Sequence, residues 1–208
     1  MKLAFSPPNQ LTFLRILLTP VFIAFLFSAD PVLLQLSPLV FFIAMLTDWY
    51  DGWVARRWGY VTRWGTFLDP LADKIVTSAA LIAFVYLNLV PPWTVWVIVT
   101  RDIAITFLRS YAELKGKPFN TSRLAKTKTF LQFALICYIL LAYVARNTDY
   151  FRSQYGPLLD RLLDQSLLYA GMVVIAAITL LTGVIYIIDN WATVRELYGS
   201  SNRVTESE

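Results

Sequence analysis

Four aspartates stand at intervals that could do chemistry: Asp48 and Asp51 are three apart, and Asp69 and Asp73 are four apart. Each pair would lie on one face of a helix, and a helical hairpin would bring all four together. Like charges packed so closely need cations to stay ionised, and oxygen-only ligands favour Mg²⁺, Mn²⁺ or Ca²⁺ over zinc. Gly52 follows Asp51 and Gly65 precedes Asp69, where a missing side chain would let a phosphate or ribose approach the backbone. Close helix crossing in a membrane would use the same glycines. A salt-bridge cluster of the aspartates with Arg56 and Lys74 is the structural alternative to a metal site, but it gives no reason for glycines in register.

The elements that must carry these residues are apolar. The chain of 208 residues is 57% hydrophobic and 15% charged, with mean hydropathy +0.56, a balance that fits a polytopic membrane protein rather than a soluble domain. Apolar segments long enough to span a bilayer number about six, near 10–28, 32–56, 67–89, 93–114, 124–145 and 167–192. Breaks at Asp30-Pro31, Gly59 to Gly65, Pro91-Pro92 and Lys115 to Asn120 separate them. The polar stretch Arg146 to Asp164 has room for a short interfacial helix. We therefore expect an all-α bundle of about six transmembrane helices with a short N-terminal interfacial segment. It would form one domain over 1–198, with a polar tail at 199–208.

The net charge of +4 is modest and clustered at particular loops, which speaks for topology and anion binding and against nucleic acid. Histidine is absent and Cys137 is the single cysteine, so His-ligated zinc, an imidazole base and an intrachain disulfide are excluded. Most Lys and Arg fall on one side of a six-helix topology, which puts both termini and the aspartates on the cytoplasmic side of the cell (inner) membrane. Nine ionisable groups sit in or at the ends of apolar segments, among them Arg15, Lys74, Arg101, Asp102 and Arg109, and together they require a shared polar cavity. Arg101 and Arg109 are eight apart, two turns along one face. With Lys126 and Lys128 they suit a phosphate, although the two lysines also fit ordinary positive-inside residues. The seven Trp lie mostly near helix ends, where indoles favour the interface.

The pattern D-x2-D-G-x2-A-R-x8-G-x3-D-x3-D, met by Asp48, Asp51, Gly52, Ala55, Arg56, Gly65, Asp69 and Asp73, resembles the signature of the CDP-alcohol phosphatidyltransferases. These are membrane enzymes that move a phosphatidyl group from a CDP-activated lipid to an alcohol. The resemblance implies Asp48, Asp51 and Asp69 as ligands of two Mg²⁺ or Mn²⁺ ions, Asp73 as ligand, general base or both, and Arg56 on the donor's phosphates or cytidine side.

Further segments, PNQLTFLRILLTPVF, TRDIAITFLRSYAELKGK and SRLAKTKTFLQ, are similar to those of bacterial phosphatidylglycerophosphate synthases. That similarity implies CDP-diacylglycerol as donor and glycerol 3-phosphate as acceptor. It assigns Asn9, Thr12 and Arg15 to the donor site with Gly52, Arg56 and Gly65, and Arg101, Arg109, Ser122, Lys126 and Lys128 to the acceptor phosphate. Membrane lipid would surround the bundle, and family members are often homodimers. Asp102 stands where those synthases more often have Glu, and Ala125 where Gly is expected. Inositol phosphate, serine, glycerol or phosphatidylglycerol are the rival acceptors. A cation transporter is the reading outside the enzyme class.

Overall fold

The computed structural model describes residues 7–58, 63–116, 119, 123–191 and 193–195, and the side chains among them apart from those of 7–11, 48–58, 63–69 and 123. The described residues form seven α-helices and no strand: α1 Pro7–Leu26, α2 Pro31–Trp58, α3 Arg63–Tyr86, α4 Pro92–Leu114, α5 Arg123–Arg146, α6 Asp149–Leu162 and α7 Gln165–Asp189. Six of them coincide with the expected apolar segments. The seventh, α6, fills the polar connection before Asp164. The N-terminal interfacial segment and the tail fall on residues outside the described ones.

Local chemistry explains the boundaries. Asp30 Oδ1 accepts the Val32 N–H at 2.8 Å, capping α2. Asp164 accepts from the N–H groups of Ser166 and Leu167, capping α7. Pro92 opens α4 with Pro91 as its N-cap, and Gly116, at φ +73°, turns the chain away after α4. Pro38 lies within α2 and cannot bond the Leu34 carbonyl four residues back. Ser37 Oγ donates to that carbonyl at 2.7 Å, so the helix continues through the proline. Pro70 lies within α3, beyond the first turn, because the helix begins at Arg63.

Two helices, Leu124–Arg146 and Gln165–Asp189, are long and apolar enough to cross a membrane by length and composition, while Thr12–Leu26 and Pro31–Thr47 are shorter apolar stretches. The bundle's outer surface is apolar too: Phe13, Leu17, Leu46, Phe130, Leu181 and Ile188 are all exposed, a distribution suited to lipid rather than water. Trp93, Trp96 and Trp191 are also exposed.

Inside, α1 packs on α2 and α3, α3 on α4, α4 on α7, and α5 on α2, α6 and α7. Phe41 joins these layers, with its ring 5.3 Å from Phe22 of α1 and stacked 6.1 Å from Phe133 of α5. Its position fixes α2 between the other two, and so fixes the frame around the cavity described next.

Candidate functional site

A cavity of about 1020 Å³ opens among α2, α3, α4, α5 and α7. One part of its wall is apolar, with Phe42, Met45 and Leu46 from α2 and Phe130 and Phe133 from α5. The other is charged, with Asp73 and Lys74 from α3, Arg101, Asp102 and Arg109 from α4, and Lys126 from α5. Among the described residues four cationic side chains thus face two carboxylates. Such a surplus is best met by an anion or water, so this part of the cavity suits an anionic group beside an apolar one.

The two carboxylates are differently employed. Asp73 Oδ2 stands 3.2 Å from Lys74 Nζ, and both side chains retain some exposure to the cavity. Asp102 is 3% exposed and binds two cations with one oxygen: Oδ1 accepts from Arg101 Nη1 at 3.1 Å and from Lys128 Nζ at 2.5 Å. Lys128 is itself 1% exposed, so it sits behind Asp102. Buried charges persist when paired, and Asp102 meets that requirement for Lys128 while turning Arg101.

Helix α7 holds the other side of Arg101. Arg101 Nη2 donates to Thr182 Oγ1 at 3.1 Å, and that hydroxyl is oriented by its own bond to the Ile178 carbonyl at 2.8 Å. Gly183 provides the space, since a Cβ there would lie 3.0 Å from Arg101 Nε and 3.3 Å from Cγ. Tyr186, one turn on, lines the cavity, with its ring edge-on to Phe119 at 5.7 Å.

The residues singled out in the sequence fall into three groups. Asp73, Arg101, Arg109 and Lys126 line the one cavity, and Lys128 reaches it through Asp102. Thr12 and Arg15 are buried on α1, whereas the cavity's described lining comes from the other helices. Asn9, Asp48, Asp51, Gly52, Arg56, Gly65 and Asp69 fall within the ranges of α1, α2 and α3, but their side chains, and Ser122 altogether, lie outside the described residues. Among the described residues no group of three or more potential metal ligands occurs, since three of the four aspartates are not in that set.

Sequence reasoning gave Asp102 no specific role and missed Thr182, Gly183 and Tyr186 altogether. An ionisable residue next to Arg101 in an apolar segment was the available signal for Asp102. For the α7 residues there was none, as they are uncharged and carry no motif.

A model of the CDP-alcohol phosphatidyltransferase family matches residues 5–151. The chain is 38% identical over 149 residues to a Bacillus subtilis (strain 168) protein named CDP-diacylglycerol–glycerol-3-phosphate 3-phosphatidyltransferase, covering 66% of this chain and 77% of that one. Proteins of the same name match from Rickettsia bellii (strain RML369-C), 34% identical over 150 residues with 72% and 83% covered, and from Salmonella paratyphi A (strain ATCC 9150 / SARB42), 34% identical over 142 residues with 65% and 77% covered.

Proposed function

The chain belongs to the CDP-alcohol phosphatidyltransferase family and is a membrane transferase of phospholipid biosynthesis, and from that premise we propose that it transfers the phosphatidyl group of CDP-diacylglycerol to glycerol 3-phosphate, releasing CMP. The observation that carries the choice of acceptor is the charged wall of the cavity. Lys74 is matched by Asp73 and Arg101 by Asp102, which leaves Arg109 and Lys126 as cations facing the same space. A neutral acceptor such as glycerol gives such a wall no partner, whereas a phosphate suits arginine forks. The apolar wall from Phe42 to Phe133 suits the lipid side of the reaction.

The donor set is carboxylate throughout, lies on the two packed helices α2 and α3, and includes Asp73 at the cavity wall. It therefore fits hard divalent cations. Asp48, Asp51, Asp69 and Asp73 would hold two Mg²⁺ or Mn²⁺ ions, which supply charge neutralisation at the diphosphate. Gly52, Gly65 and Arg56, with Asn9, Thr12 and Arg15, bound the donor side. On the acceptor side Arg101, Arg109 and Lys126 seat the phosphate, with Ser122 near them and Lys128 acting through Asp102. Asp73 accepts the proton of the glycerol hydroxyl as that oxygen bonds to the phosphorus bearing diacylglycerol. The bond from that phosphorus to the CMP oxygen breaks, and CMP leaves with the electron pair. Seating and charge matching carry most of such a transfer.

Helices α1 to α5 and α7 span the membrane in this reading, with the cavity opening to the cytoplasmic side, where CDP-linked lipid is charged and CMP released. The test is an assay of purified protein in detergent with CDP-diacylglycerol, Mg²⁺ and a panel of acceptors, following CMP and product mass. We expect turnover with glycerol 3-phosphate. Turnover confined to a phosphate-free alcohol overturns the choice.

A further inference from the structure

The family model ends at residue 151, yet part of the cavity wall comes from α7. Tyr186 is 3% exposed and lines the same cavity as Arg101 and Arg109. Its hydroxyl is fully buried and has no hydrogen-bond partner among the described residues. A buried tyrosine hydroxyl nearly always finds one, and leaving it unbonded is disfavoured. Nothing in the packing of the ring calls for a tyrosine, since the contact with Phe119 is edge-on and aromatic and phenylalanine would make it equally well.

The surroundings say what the hydroxyl is for. One turn before it, Thr182 accepts from Arg101 and Gly183 gives that arginine its room, so a single face of α7 both seats Arg101 and presents Tyr186. A phenol O–H donates to an anion as readily as a guanidinium does, without adding charge. It can thus bind an oxygen that the arginines leave uncovered.

We propose that Tyr186 is a substrate-contacting residue, its hydroxyl donating a hydrogen bond to the phosphate group held by Arg101 and Arg109. The proposal rests on the acceptor-phosphate reading above. It makes α7 a part of the acceptor site rather than a passive wall, and makes Tyr186 a determinant of preference for a phosphorylated acceptor.

Tyr186→Phe removes the hydroxyl and keeps the ring. In detergent with CDP-diacylglycerol and Mg²⁺, we expect KM for glycerol 3-phosphate to rise about tenfold, the scale of one hydrogen bond to a charged group. We expect kcat, KM for CDP-diacylglycerol and the thermal midpoint to stay near the parent values. An unchanged acceptor KM overturns the proposal, and so does a fall in kcat alone or a rise only in the donor's KM. Arg109→Ala, assayed alongside, separates this failure from that of the acceptor reading. If Arg109→Ala raises the acceptor KM and Tyr186→Phe does not, only the tyrosine's role falls. If neither variant changes it, the phosphate site itself is misassigned and the proposal falls with it.

Discussion

Asp102→Asn is the most informative single change, because one oxygen of Asp102 serves two cations, one of them, Lys128, fully buried. The substitution keeps the shape and removes the charge. Arg101 still has Thr182, but Lys128, 1% exposed, loses the ion pair that compensates it. Removing one partner of a buried pair costs about 3–5 kcal/mol, and the amide oxygen that remains puts the expected loss near the lower end, about 3 kcal/mol. For a chain of this size that corresponds to a fall of roughly 6–12 °C in the thermal midpoint, readable by tryptophan fluorescence of the detergent-solubilised protein. Lys128→Met should be milder, since Asp102 keeps Arg101. The double variant Asp102→Asn/Lys128→Met should be more stable than Asp102→Asn alone, because the stranded charge has gone with its partner. If Asp102→Asn melts with the parent, or if the two losses simply add, the shared carboxylate does not hold these cations and the reasoning is wrong.

Asp48→Asn or Asp69→Asn should abolish turnover at any Mg²⁺ or Mn²⁺ concentration while circular dichroism stays helical; retained metal-dependent activity removes these aspartates from the metal site. Gly183→Ala brings a methyl to 3.0 Å from Arg101 Nε, so Arg101 must move, and the acceptor KM should rise severalfold with the donor KM unchanged. Equal kinetics for parent and variant would mean that the seat of Arg101 is immaterial to the reaction.

Much of the scaffold was legible from residue order. Asp30, Pro91-Pro92 and Gly116 are breaks whose chemistry is local, and the helices begin or end there. The spacing of Arg101 and Arg109 foretold a shared face, and both line one cavity. What escaped was tertiary. The role of Asp102 depends on Lys128, far away in sequence on α5, and no pattern on α4 announces that pairing. Gly183 reads as one more small residue in an apolar helix until Arg101 is seen lying against it. Tyr186 reads likewise as one aromatic among 11 tyrosines. The start of α3 escaped for another reason: the helix begins at Arg63, ahead of the apolar segment near 67–89, and runs on through Pro70.

The order in which the ribosome delivers these helices matters for the cavity. Every residue of the aspartate pattern, and Arg101 with it, is synthesised before Gln165, the first residue of α7. A nascent chain at that stage carries the whole signature yet lacks the strut against which Arg101 is set, so α7 must dock before that arginine can take its place beside Thr182 and Gly183.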